Sequence, residues 1–502
     1  MIGLSAFALC LALAMPLVET CRVCGSHFNE ETYQERWRKT CDENRDQLLP
    51  PSHYLDQMAN QTCEVWVLDQ AYDDDKQREN GGGMLYIYDS AKLKSNRGQG
   101  AVATINMTSA TLTANVALNG ACRRGQKPHM ISSYPYFTHM NYALISYVGS
   151  GDIQVMDIKT RKIIGCYNTL SKGSPQNHYA EFTSDGKFIV VLDIGGSTGR
   201  SGHLHKIRVE KMPGQELYLN LTHEKTLKLQ NCIEDLATKA ARPICGGFER
   251  RNGLFYVTMS HGGLLIADAE GEEFKVVKVY SHPIVKGDGC GGSRRYSGNF
   301  GMVTNGASTG KSNLGDYLYF HNTTAPCHGK FPNPIELEIP KWKPNAEVSY
   351  DNTPYGNVPL GDTHGTGMCV VKETGEEILL STMRLSNEIV FVNTSTQQIF
   401  ERLSLVRREF VPNPTPDLIT LAAYGGEVMC MALRGGVPLS AIGKFRDNFR
   451  RTPGMLCVHM ADDCRSFTFD EKDFYPTTEQ LYPTPDPHAI LQVCYEKEAS
   501  LE

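Results

Sequence analysis

Surplus positive charge is the first thing this chain lacks. Its 50 lysines and arginines stand against 56 aspartates and glutamates, a formal net charge of −6 over 502 residues. That balance excludes nucleic acid and anionic membrane surfaces as expected partners. Long apolar stretches are scarce as well. The run from Leu4 to Leu13 is followed at once by Pro16 and is too short to span a bilayer, and no other window approaches that length. This opening carries no basic residues ahead of its apolar core, yet its Ala12-Leu-Ala14 pattern reads as a secretory signal over residues 1–20. A retained N-terminal anchor is the alternative. Two catalytic motifs occur only in broken form. Gly195-Gly-Ser197-Thr-Gly199 has nucleophile-elbow spacing but runs on into a turn and strand where that motif needs a helix. Gly306-Ala-Ser-Thr-Gly310-Lys-Ser is one residue short of a phosphate loop and reads as a turn.

Cysteine, by contrast, is plentiful: 16 residues, with Cys10 inside the leader and an odd number after it. A disulfide framework in an oxidising compartment is expected, with at least one thiol free or shared between chains. Asn-x-Ser/Thr sequons at Asn60, Asn106, Asn220, Asn322 and Asn393 fit a secreted glycoprotein. Residues 21–62, with Cys21, Cys24, Cys41 and a charged stretch from Glu30 to Leu49, read as a disulfide-stapled cap bearing a helix.

The remainder, 63–495, is organised in units of about 40 residues. The clearest runs from His129 to Asn168. It holds Tyr142-Ala-Leu-Ile-Ser-Tyr-Val, a Gly149-Ser-Gly turn, Ile153-Gln-Val-Met-Asp-Ile and Lys162-Ile-Ile-Gly-Cys-Tyr. Short Val-, Ile- and Tyr-rich runs between tight polar turns are antiparallel strands, and four of them make one propeller blade. Seven such units are expected. The first lacks an innermost strand locally, and Pro485-Asp-Pro-His488-Ala-Ile-Leu from the tail, which echoes Lys127-Pro-His129-Met-Ile, is expected to supply it. A strand from the cysteine-rich N-terminus is the other candidate. The long Pro340–Thr363 stretch is expected to be an insertion. Asp185-Gly-Lys-Phe-Ile-Val-Val and the Tyr142–Asp157 segment resemble the YVTN-type repeats of seven-bladed β-propellers, a wider group that includes haem-d1-type and amine-dehydrogenase heavy-chain propellers. The resemblance covers roughly 64–495 and implies an all-β, seven-bladed fold and no particular activity.

Aligned on their opening residue, the blades offer His488, His129, His178, Cys245, Cys290, His364 and Asp417. Innermost strands line a propeller's central channel, so four imidazoles, two sulfurs and a carboxylate are expected to converge on one axis. Imidazole suits copper, iron and zinc, and thiolate suits copper(I) and zinc. The expectation is a copper or iron centre, with zinc possible. His129, His178 and His488 would reach one ion from adjacent blades, His364 would approach from across the channel, and Cys245 and Cys290 would stand near them. Asp417 would act as an orienting group or proton acceptor. Arg294, Arg295 and Tyr296 could hold a substrate anion at the rim. The predicted activity is redox or lyase chemistry on a small organic substrate. A polar structural channel in a propeller that binds a protein or glycan is the alternative, and Cys245–Cys290 could equally be a disulfide. His203-Leu-His205 places two rings on one strand face, read here as an exposed outer strand.

Overall fold

β-Branched and aromatic residues at alternating positions bury one sheet face against the next, and turn residues return the chain every six or so residues. In the computed structural model this yields seven antiparallel sheets set in sequence as the blades of a propeller. The structure describes residues 30–44, 61–70, 83–340, 361–434, 453–477 and 485–496, leaving out 96, 119, 123–124, 135–139, 170–175, 196–201, 230–240, 250, 261, 271–273, 288, 291, 295–299, 308–314, 408, 412–413 and 422–426. The expected leader, Cys21, Cys24, Asn60 and the 341–360 insertion lie outside them.

Blade 1 is closed as the tail sequence predicts. Strand Pro487–Glu496 lies innermost and pairs antiparallel with Gln61–Asp69, which leads on to Met84–Asp89 and Ala103–Asn106. Cys63–Cys494 ties this seam across 431 residues of sequence. Removing it as the Cys63→Ser/Cys494→Ser pair is expected to lower stability by about 2–5 kcal/mol, read as a fall in the denaturant midpoint. An unchanged midpoint would mean the ladder alone closes the ring.

The cap helix, Glu30–Asn44, is held to the propeller. Cys41 pairs with Cys327, the Trp37 indole N–H donates to Asp268 at 3.2 Å, and the Trp37 ring meets Phe331 edge-on. Three further disulfides, Cys122–Cys166, Cys369–Cys464 and Cys430–Cys457, lie within the propeller. Disulfides suit an extracellular or secretory location. No helix among the described residues is long and apolar enough to cross a membrane.

Three elements depart from the sequence reading. Gln215–Lys228 forms a long outer strand for blade 3, and Gln398–Ser404 completes blade 6. Both carry polar residues on a solvent-facing side, which hides their periodicity. The outermost strand of blade 1, Ala103–Asn106, ends at Asn106, whose side chain accepts the Ser109 N–H at 2.9 Å and starts the helix Met107–Ala117, which the sequence reading did not include.

Candidate metal centre

Six of the seven inner strands break register at their site residue; Cys290 instead lies just ahead of its regular strand, Gly292–Arg294. His129 falls between the pairs Pro128–Tyr147 and Met130–Ser146. His178 falls between Asn177–Asp193 and Tyr179–Leu192, and His488 is skipped between Asp69–Pro487 and Leu68–Ala489. Cys245, His364 and Asp417 sit in wider gaps of the same kind. A bulge releases a residue from the ladder and re-aims its side chain. Proline precedes several of these positions and has no N–H to give the ladder: Pro128, Pro416 and Pro487 stand directly before His129, Asp417 and His488. Lys127, Asp362 and Thr415, each two residues ahead of a site residue, hold φ of 56°, 56° and 44°. Left-handed backbone costs about 1–2 kcal/mol per non-glycine residue, and these three carry that strain where the chain turns toward the axis.

Polar groups tie each bulge to its neighbour. Ser146 donates to the His178 carbonyl, Thr258 to the Gly289 carbonyl, Asn305 to the His364 carbonyl, and Thr382 to the Asp417 carbonyl at 2.5 Å. Gly365 permits the last approach, because a Cβ there would lie 2.3 Å from the Asp417 carbonyl oxygen.

The expected residues are gathered at the axis. The Nε2 atoms of His129 and His178 are 2.7 Å apart, and the His129 ring lies 3.9 Å from that of His488, centroid to centroid. His364 is 6.1 Å from His488. The seven do not form one shell, however. Nitrogen and oxygen donors of His364, Asp417 and His488 lie within 4.8 Å of one another, and so do those of His178, Cys245 and Cys290. His129 joins the two groups. Asp417 is therefore not set behind the imidazoles as expected but stands among them, its Oδ1 3.0 Å from His364 Nε2 and its Oδ2 3.7 Å from His488 Nε2. Cys245 and Cys290 are buried free thiols. Burial, with a hydrogen bond donated to Cys290, pushes the Cys245 thiol well above its usual range.

Sequence reasoning missed the charged frame around this ring. Arg384 pairs with Asp362 through Nε at 2.8 Å and Nη2 at 3.1 Å. Arg434 grips Asp486 through Nε and Nη2 at 2.7 and 2.8 Å. Both guanidiniums also face Asp417, at 3.7 and 3.3 Å. The signal was present: Asp362-Thr-His364 and Asp486-Pro-His488 share one spacing, and Arg384 and Arg434 close matching second strands. With two guanidiniums against three carboxylates, one negative charge is left over.

Desolvation is the main cause of each shift here. It lowers His129, His364 and His488 well below the usual imidazole value and brings His178 down to about 3, with the two arginines pushing the same way. It raises Asp417 to about 6, against the pull of Arg434 and Arg384. Neutral imidazole is the ligating form. His488 is already oriented, its Nδ1 2.9 Å from the His129 carbonyl, which leaves the Nε2 lone pair toward Asp417. Both buried oxygens of Asp417, and Nδ1 of His129 and of His364, have no hydrogen-bond partner among the described residues. Ligands about 2.0–2.1 Å from a tetrahedral ion lie about 3.3–3.4 Å apart, close to the 3.0 and 3.7 Å separations seen. The donor set fits a cation. At the rim, Arg294 ends the short strand Gly292–Arg294; its side chain, Arg295 and Tyr296 lie outside the described residues.

No protein-family model matches this sequence, and no curated protein matches it. Solved structures of other propellers do. Hydrazine synthase of Kuenenia stuttgartiensis is 10% identical, covering 76% of this chain and 90% of its own, at TM-score 0.45. Virginiamycin B lyase of Staphylococcus aureus is 12% identical over 72% and 87%, at 0.43. The beta-propeller domain of Myceliophteria thermophila Cps50 (Swd1) is 10% identical over 70% and 87%, at 0.42. The chain is similar to these proteins in fold, and no function is carried over from them.

Proposed function

We propose that this propeller is a secreted metal-dependent enzyme whose axial ring holds a copper or iron ion and acts on a small organic substrate by redox or lyase chemistry. The observation that carries this reading is the pair of Asp417 oxygens, ion-paired but without a hydrogen-bond partner among the described residues, facing His364 and His488 inside a ring of neutral imidazoles. Two imidazoles and a carboxylate with open positions are the donor set of non-haem iron(II) centres, and imidazole-rich sites also suit copper. The ion would supply Lewis acidity or electron transfer. His129 and His178, sharing one proton between Nε2 atoms 2.7 Å apart, form a proton relay beside it, and the buried thiols Cys245 and Cys290 offer a softer set of donors. His178 is the half-buried member, so substrate would enter on its side, and a site this enclosed takes a small molecule.

The test is electron paramagnetic resonance of protein stripped with chelator and reloaded with one equivalent of copper(II). Hyperfine splitting from several imidazole nitrogens is expected, and it should be lost in His488→Ala. An oxygen-coordinated signal unchanged by that substitution would favour the polar-channel alternative, a recognition propeller without a catalytic metal.

A further inference from the structure

Blade 3 carries a second constellation, two strands out from the axis. His203 and His205 alternate onto one face of the strand His203–Met212. That strand is not an exposed outer one. Gln215–Lys228 covers it on one side and Phe188–Asp193 on the other, so His205 is fully buried. Asp193, ending the inner neighbour and also fully buried, turns Oδ2 toward both rings: 3.5 Å from His205 Nε2 and 3.8 Å from His203 Nδ1.

We infer that Asp193, His203 and His205 form a second metal site, binding a divalent transition ion of the zinc class independently of the axial ring. The separations suit an ion between the three donors, since ligands about 2.0–2.1 Å from tetrahedral zinc lie about 3.3–3.4 Å apart. The His205 Nε2–Asp193 Oδ2 contact, at 3.5 Å, stands at the outer limit of a direct hydrogen bond. The surroundings fix each donor. The Gly195 N–H donates to Asp193 Oδ1 at 3.0 Å, which fixes the carboxylate with Oδ2 toward the two rings. His205 Nδ1 is 2.9 Å from the Thr226 hydroxyl, which sits 2.8 Å from His223 Nε2. If Nδ1–H donates to Thr226 and Thr226 donates to His223, the His205 Nε2 lone pair faces Asp193 Oδ2. Such outer hydrogen bonds are the usual partners of ligating histidines. His203 Nδ1 has no hydrogen-bond partner among the described residues, and its ring is partly exposed. Three protein donors with one side open to water is the arrangement of a zinc ion that carries a water molecule.

The experiment titrates chelator-stripped, full-length protein with Zn2+ against a chromophoric competitor. His203→Gln, at the partly exposed position, should bind one Zn2+ fewer than wild type with an unchanged far-UV spectrum and melting curve when metal-free. Thr226→Val should keep the site but weaken it about 10–100-fold. His488→Ala should retain the blade 3 equivalent, so failure of the axial reading leaves this count intact. Equal Zn2+ stoichiometry and affinity in wild type and His203→Gln would overturn the site, whatever the axial ring does.

Discussion

Arg434→Met is expected to destabilise the metal-free protein by about 3–5 kcal/mol, because it strands buried charge. Its guanidinium is almost wholly buried, with Asp486 gripped at 2.7 and 2.8 Å and Asp417 at 3.3 Å. Removing it leaves two carboxylates facing each other's field without the nearer cation. The Asp486 N–H donates to Asp69 Oδ1 at 2.8 Å, which adds a further carboxylate to the buried cluster. The comparison variant is Arg465→Met, which breaks the exposed Arg465–Glu376 pair and is expected to cost less than about 1 kcal/mol. Urea unfolding of both distinguishes them. Similar midpoints would mean that the buried pair contributes no more than a surface contact. Arg434→Met combined with Asp486→Leu should recover part of the loss, since the stranded charge goes with it.

The second large effect is acid lability of the metal-free ring. His178 titrates near 6.5 when unfolded and at about 3 when folded, so its stabilising contribution is complete above 6.5 and is lost as pH falls below it. Between about pH 7 and pH 5 that loss is about 2 kcal/mol for His178 alone. His129, His364 and His488 shift in the same direction for the same reason, burial of a group that would otherwise take a proton. Asp417 works against them. Its folded value of about 6 lies above the unfolded one, so its contribution is present at low pH and lost as pH rises through 6, an opposing effect of about 1 kcal/mol over the same interval. The imidazoles outnumber it, and the net prediction is a steep fall in stability from pH 7 to pH 5. Chemical denaturation across that interval checks it. A flat profile would mean that the rings accept protons in the folded state and are not held as neutral donors.

What the sequence made legible follows from the repeat. Each blade starts with the same local grammar, a turn, often a proline, then a residue released by a bulge, so His129, His178 and His488 could be aligned without knowing any distance. The closing strand was legible because Asp486-Pro-His488 copies Lys127-Pro-His129. The sorting of the ring into a His–Asp–His group and a His–Cys–Cys group was not legible. It depends on how far each bulge projects and on Arg384 and Arg434 reaching Asp417 from two blades. The Asp-x-His spacing and the second-strand arginines do repeat in the sequence, but the repeat does not say which carboxylate each guanidinium reaches across blades. His203 and His205 were misread for a related reason. Whether their strand is exposed rests on the outer strand Gln215–Lys228, whose Asn220, His223, Glu224 and Lys225 resemble a loop.

The claim on which the rest depends is that the axial ring is a transition-metal site. Elemental analysis of natively purified protein beside His488→Ala tests it most directly. The account predicts that wild type carries one more copper or iron ion per chain than the variant, with any blade 3 zinc equal in both. Identical copper and iron content in the two proteins would contradict it.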